Sequence, residues 1–383
     1  MDDRQTQLLH DARAALAAAR PLADNRAFVG FDGFVDDVVH LVHERRSSTE
    51  YTPIATIADY ARRLALAAGK STNVEMVTLA TKMGGNGPLM ADALGRLGCA
   101  LRYVGIVGDR AVHPAFEPLV EHGEVIPIGA PAHTIAAEFE DGKIMHGRMD
   151  TLLALTPARL LDALGSMEAL AARLRGCHLL GLINWTMTPH ATGLWQLVAE
   201  ALATLPASDR PGFAFFDLCD PQKRPMAQLL EALRVLADYQ DLDGVQPILG
   251  LNERESELAC EALGLETGPG EPEALVARAE RIGRALRSIE VVIHPTRAAA
   301  AWSPGDGGSR TAGPHCTKPL LTTGAGDHFN GGYCAGRLMG LPPRLAVVAG
   351  KCVSGHYVRY ARGPRADELP AFIDRWLAGT LDA

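Results

Sequence analysis

The chain has 383 residues, 47% of them hydrophobic and 21% charged. That length predicts two domains, or one large domain with an elaboration, and the composition excludes a disordered or fibrous chain. With 37 basic against 45 acidic residues, the net charge of −8 lacks the basic surface that counterion-driven nucleic-acid binding needs, so no nucleic-acid partner is expected.

The seven cysteines are widely spaced, with no C-x-x-C pair, so neither a disulfide frame nor a zinc cluster is expected. His40 and His43 stand without a Cys or acidic partner at ligand spacing. Met1-Asp2-Asp3-Arg4 carries acid where a signal peptide carries base, and no run approaches the roughly 20 apolar residues that span a bilayer. A cytoplasmic protein with no membrane partner is the expectation.

In chain order, Leu8, Leu9, Ala12, Leu16 and Ala19 fall near helical spacing and predict a helix over 5–20, ending before Pro21. Short apolar runs at 27–31, 74–79, 101–107, 179–183, 212–216, 244–249 and 291–294 then alternate with helical stretches such as 194–205, 226–237 and 273–288. That alternation predicts an α/β fold: a mostly parallel central sheet with helices on both faces. Two segments break the rhythm. Residues 34–43 form a strand outside it, and 133–146 centre on Asp141-Gly142, a two-residue hairpin turn. Together they suggest a small projecting β-sheet, a lid over a cleft. The expected organisation is a helical extension over 1–26 and one α/β domain over 27–383, with lid segments at about 34–60 and 110–148. Residues 304–314, rich in Gly and Pro, read as a flexible surface loop.

Four strand ends carry polar residues where open α/β sheets bind ligands. The segment Leu321-Thr-Thr-Gly-Ala-Gly-Asp327 opens a helix, with Thr322 or Thr323 as N-cap. Its amides and the positive end of the helix dipole offer a site for phosphate. The dipole should also lower the pKa of Asp327, making it a weaker base. A plain glycine-rich helix entry fits as well. The spacing is neither a dinucleotide fingerprint nor a P-loop.

Gly84-Gly85-Asn86 precedes another helix, where exposed amides and a carboxamide suit the hydroxyls of a polyol. A tight strand-to-helix turn is the alternative. Asn252 and Glu255, three apart, suit either a capping box or a carboxylate that holds Mg²⁺ through water. Asp32, Asp36 and Asp37 lie beyond the first strand, and Asp217 to Arg224 follow the strand at 212–216.

These elements, in this order, resemble the ribokinase-like (PfkB) carbohydrate kinase family over about residues 27–375. The resemblance implies an ATP-dependent phosphotransferase that acts on a hydroxyl, a hydroxymethyl group first, of a sugar or sugar-containing small molecule. It implies Asp327 as general base, with Gly324, Ala325 and Gly326 as the anion hole. Gly84, Gly85 and Asn86 would contact substrate together with Asp36, against which Asp32 competes. Asn252 and Glu255 would position Mg²⁺ through water, and Thr323 would join them at the nucleotide. Leu321 stands where the family usually has an Asp linked to a monovalent cation, so potassium dependence stays open. The family's substrate Asn falls at Leu89 here, and 291–298 lacks the glycines usual before the nucleotide loop. A non-catalytic sugar or nucleotide sensor is the alternative, and a homodimer could form through lid edges.

Overall fold

The computed structural model describes residues 2–268 and 274–382. Nine strands form the central sheet in the order Gly307–Ala312, Ala298–Ser303, Glu290–Ile293, Gln246–Leu251, Phe213–Asp217, Leu179–Leu182, Arg26–Phe31, Ala100–Gly105 and Gly123–Pro127. All neighbours from Glu290–Ile293 to Gly123–Pro127 run parallel, and the two strands at the other edge are antiparallel.

The central parallel strands, such as Leu179–Leu182 and Phe213–Asp217, are largely apolar because both faces are covered. Ala214 and Phe216 point into one core and Phe215 into the other. The first core is closed by helices that include Ala191–Ala203, Met226–Asp238 and Ala274–Ala285. The second is closed by Asn86–Arg96, Ala325–Leu338, Pro343–Tyr360 and the terminal helices Asp3–Ala18 and Glu368–Leu377. Glu273, the first residue of the predicted 273–288 helix, lies outside the described residues, as does Met1.

From Arg26–Phe31 the chain builds outward through Ala100–Gly105 and Gly123–Pro127, then returns to lay Leu179–Leu182 on the other side. This reversal creates a crevice beyond the carboxyl ends of those strands. The helix Asp3–Ala18 packs with Leu9 and Ala12 fully buried, and the Arg13–Asp374 ion pair ties it to the C-terminal helix.

Above the crevice stands a separate five-stranded sheet. Its spine, Phe34–Arg45, pairs with Met76–Gly84 on one side. On the other it pairs with Ala132–Phe139 and Tyr51–Pro53, and Gly142–Arg148 completes the sheet.

Four expectations are corrected. The run at 74–79 belongs to this small sheet: Thr78 to Lys82 are exposed, whereas a central parallel strand is buried on both faces. The hairpin loop is Glu140-Asp141, one residue early, and Gly142 already pairs with Phe139. Residues 304–314 are ordered as the edge strand Gly307–Ala312, polar because one side of it meets solvent. Lastly, neither Thr322 nor Thr323 caps the helix Ala325–Leu338; Gly324 does, with φ of 89°. Among the described residues no helix is long and apolar enough to cross a membrane.

Candidate active site

Three helix entries and four strand ends converge in the crevice. Gly85, with φ of 97°, turns the lid strand Met76–Gly84 into the helix Asn86–Arg96. That entry is held by Asp32, at 0% exposure. Its carboxylate accepts from the amides of Asn86 and Gly87, each at 3.0 Å, and from Asn184 Nδ2 at 2.7 Å. Burial pushes the Asp32 carboxyl up to about 6, against the pull of these donors.

Facing it is the entry of Ala325–Leu338. The Ala325 amide closes a turn onto Thr322 O at 3.2 Å, so the orphan amides of this first turn are those of Gly326 and Asp327. Tyr357 Oη donates to Thr323 O at 2.8 Å, and the Tyr357 ring stacks on His328 with centroids 3.6 Å apart, which fixes the turn from behind. In the middle of this helix, Gly332 lets Pro343–Tyr360 approach, for a side chain there would meet Val353 at 2.7 Å.

These two entries meet in one hydrogen bond: Asn86 Nδ2 donates to Asp327 Oδ1 at 2.9 Å, across 241 positions of chain. Cys219 Sγ donates to Asn86 Oδ1 at 3.3 Å, which orients the carboxamide with its amide towards the acid. Only one Asp327 oxygen is engaged by this contact, and the residue lies on the pocket wall.

Beneath lie Asp217 and Glu255. Asp217 accepts from Asn330 Nδ2 at 3.0 Å, while its Oδ1 is buried without a partner. Glu255 and Asn252 form the capping box: Glu255 Oε2 accepts from Asn252 N at 2.7 Å, and Asn252 Oδ1 from Glu255 N at 2.9 Å. Glu255 Oε1 also accepts from Asp220 N at 2.9 Å. Asn184, Cys219 and Asp220 are held at positive φ of 64°, 56° and 59°, strain concentrated at the strand ends that line the crevice.

Burial, with the neighbouring charge of Asp217, raises the Asp327 pKa well above the usual carboxylate range. Burial and Glu255 do the same to Asp217. The expected lowering of Asp327 by the helix dipole is thus reversed: desolvation and three nearby acids outweigh it.

A pocket of about 660 Å³ opens onto this cluster, lined by Asn86, Asp217, Asn252, Glu255 and the turn Gly324 to Asp327. Thr323 is not on its wall, and Thr322 is. Asp36, Gly84, Gly85 and Asp32 lie outside it, on the lid side. A side chain on Gly84 would collide with the Asp36 carboxylate, and one on Gly85 would sit 3.0 Å from Asp32 Oδ2. Asp36 is paired to Thr134 and Lys82 in the lid register. Sequence reasoning missed Asn184 and Lys351, and it reached Cys219 only as a member of the strand-end cluster 217–224. Asn184 follows a strand end, a signal available in the sequence; Lys351 sits inside a helix and left none.

The molecule has known relatives. A family model for prokaryotic ketohexokinase matches residues 1–376. A ketohexokinase from Haloferax volcanii is 29% identical over 364 residues, 92% of each chain. Among solved structures, the fold is similar to a ribokinase from Cryptococcus neoformans var. grubii in complex with ADP, at TM-score 0.62 and 16% identity, covering 91% of this chain and 99% of that one. It is also similar to a ribokinase from Arabidopsis thaliana complexed with ribose and ATP, at TM-score 0.59 and 13% identity, covering 91% and 98%. The fold is ribokinase-like, and the chain, a carbohydrate kinase, belongs to the prokaryotic ketohexokinase family.

Proposed function

We propose that this kinase transfers the terminal phosphoryl group of ATP to a hydroxymethyl group of a ketohexose, with Asp327 as general base. The observation that carries the assignment is the Asn86–Asp327 hydrogen bond, which fixes one carboxylate oxygen beside the orphan amides of a helix entry. The second oxygen accepts the hydroxyl proton as the sugar oxygen bonds to phosphorus and the bond to the ADP oxygen breaks. The amides of Gly326 and Asp327 stabilise charge on the phosphoryl oxygens, and Gly324 supplies the turn that exposes them. ATP as donor draws support from the ribokinases, whose structures contain ADP or ATP.

The residues fit a hard divalent cation such as Mg²⁺. Asp217 Oδ1 is a buried acceptor without a donor, and Glu255 stands beside it on the pocket wall. Asp217 and Glu255 would hold the ion through water, with Asn252 fixing Glu255; when bound, it neutralises charge on the phosphates. On the sugar side, Asp36, Gly84 and Gly85 form the lid face of the cleft, with Asp32 acting through the backbone it anchors. The exposed edges of the lid suit a homodimer, an idea that a monomer in sedimentation velocity would end.

The assignment is tested by ADP release over ketohexoses, aldoses and nucleosides, with ATP and other nucleoside triphosphates as donors. Turnover with a ketohexose and ATP is expected. Binding without turnover across the panel would make the chain a sensor instead.

A pH dependence follows from the acid cluster. Asp327 acts only when ionised, and its raised pKa places that ionisation above the ordinary carboxylate range. Turnover should therefore climb with pH on an acidic limb, and saturating Mg²⁺, by stabilising the ionised cluster, should move that limb to lower pH than limiting Mg²⁺ does. A limb that stays put over a hundredfold range of Mg²⁺ would count against a cation beside these carboxylates.

A further inference from the structure

Lys351 lies on the inner face of the helix Pro343–Tyr360 and is only 5% exposed, yet it lines the pocket. Its Nζ donates to Pro295 O at 2.6 Å and to Thr296 O at 3.3 Å, and stands 5.6 Å from the Phe329 ring centroid. An ammonium has three donors, so one N–H remains. Among the described residues no carboxylate comes within ion-pair distance of it. Its neighbour His294, stacked on Phe329 with centroids 4.6 Å apart, has a buried Nε2 without a partner. A buried cation with no counter-ion is costly unless something anionic completes it. The anion-binding entry at Gly326 is close, since a side chain there would lie 3.5 Å from His294.

We propose that the free N–H of Lys351 binds a phosphate of the donor nucleotide, making this residue a determinant of nucleotide affinity on the pocket wall. The inference rests on the phosphotransferase reading and adds a donor-side residue to it. Burial holds Lys351 down to about 7, so in the empty pocket its charge is poised to be lost in the weakly alkaline range. The titratable group whose charge interacts with it is His294, on the turn after Glu290–Ile293; Ala298–Ser303 carries none. His294 stays neutral there, because burial and the Lys351 charge push it down to about 3. A bound phosphate raises the Lys351 pKa, so the loss of affinity extends above pH 7.

The test is calorimetric titration of ADP with Mg²⁺ from pH 7 to 9, for the wild type, Lys351→Arg and Lys351→Met. The acid cluster titrates alike in all three, so the difference between them isolates Lys351. At pH 7, Lys351→Met should bind ADP about 10- to 100-fold more weakly than the wild type, the value of one charge-assisted hydrogen bond. Wild-type affinity should fall with pH more steeply than that of Lys351→Arg, whose charge persists. Lys351→Met affinity within threefold of wild type overturns the proposal. So does an identical pH slope for wild type and Lys351→Arg, which needs no Met variant and would leave Lys351 as a prop for the 295–296 turn. If the wild type binds no ADP at any pH, the phosphotransferase reading itself fails and takes this one with it.

Discussion

Replacing Asp327 by Asn should lower kcat by about 10²- to 10⁴-fold, the usual contribution of a positioned general base, while sugar affinity changes little. The substitution is nearly isosteric, and the Asn oxygen can still accept from Asn86 Nδ2, now at 2.9 Å. The entry of Ala325–Leu338 should stand as before, because Gly324, Tyr357 and His328 hold it without the carboxylate. Only the proton acceptor is lost, and a raised pKa makes that acceptor stronger than an exposed Asp once it is ionised. The measurement is steady-state ADP release together with calorimetric sugar binding. A variant that keeps more than a tenth of wild-type kcat would remove Asp327 from the role of base.

Much of the architecture was legible because its cause is local. A strand buried on both faces must be continuously apolar, and runs such as Phe213–Asp217 and Gln246–Leu251 carry that signature. The misplaced segment fails for the same reason. Val77 and Leu79 suggest a buried strand, but Thr78 to Lys82 are all exposed, Leu79 at 46%, in the small sheet outside the main body, which a short window does not reveal. Pairing of Met76–Gly84 with Phe34–Arg45 is decided over about 40 residues of intervening chain, beyond the reach of periodicity.

The site divides along the same line. Asp327, Asn86 and Glu255 are found from sequence because each stands at a helix entry with its own composition cue. Their meeting is not, for the Asn86–Asp327 contact spans 241 positions. The direction of the Asp327 pKa was misjudged for the same cause: the helix dipole is visible in the sequence, while Asp217, Asp32 and Glu255 become neighbours only after folding. Lys351 is the extreme case, a basic residue inside an ordinary helix whose burial is set by Pro295, Thr296 and Phe329 from other elements.

Asp32→Ala should be the most damaging substitution to stability, at about 4 kcal/mol, because it strands three buried donors at about 1–3 kcal/mol each, partly relieved by relaxation or water. Asp32→Asn should cost about 2 kcal/mol. Its oxygen can serve Asn86 N and Asn184 Nδ2, but the new NH₂ then faces the Gly87 amide, donor against donor. Both variants should also lose turnover, since the Asn86 amide that hangs on Asp32 carries the side chain that orients Asp327, and a shift of about 1 Å there can cost roughly 10²-fold. The pH dependence gives an independent check. With its folded pKa raised to about 6, the Asp32 contribution is fully present below the unfolded value near 3.9 and is lost as pH rises through 6, so this group makes the wild type lose stability across that interval. Asp32→Asn does not titrate, and its stability relative to wild type should improve over the same interval. Urea unfolding at pH 4, 5, 6 and 7 measures both effects. A difference of less than about 1 kcal/mol for Asp32→Ala at pH 7 would mean that this carboxylate does not anchor the helix entry, and a gap between Asp32→Asn and wild type that does not change with pH would mean that burial does not raise its pKa.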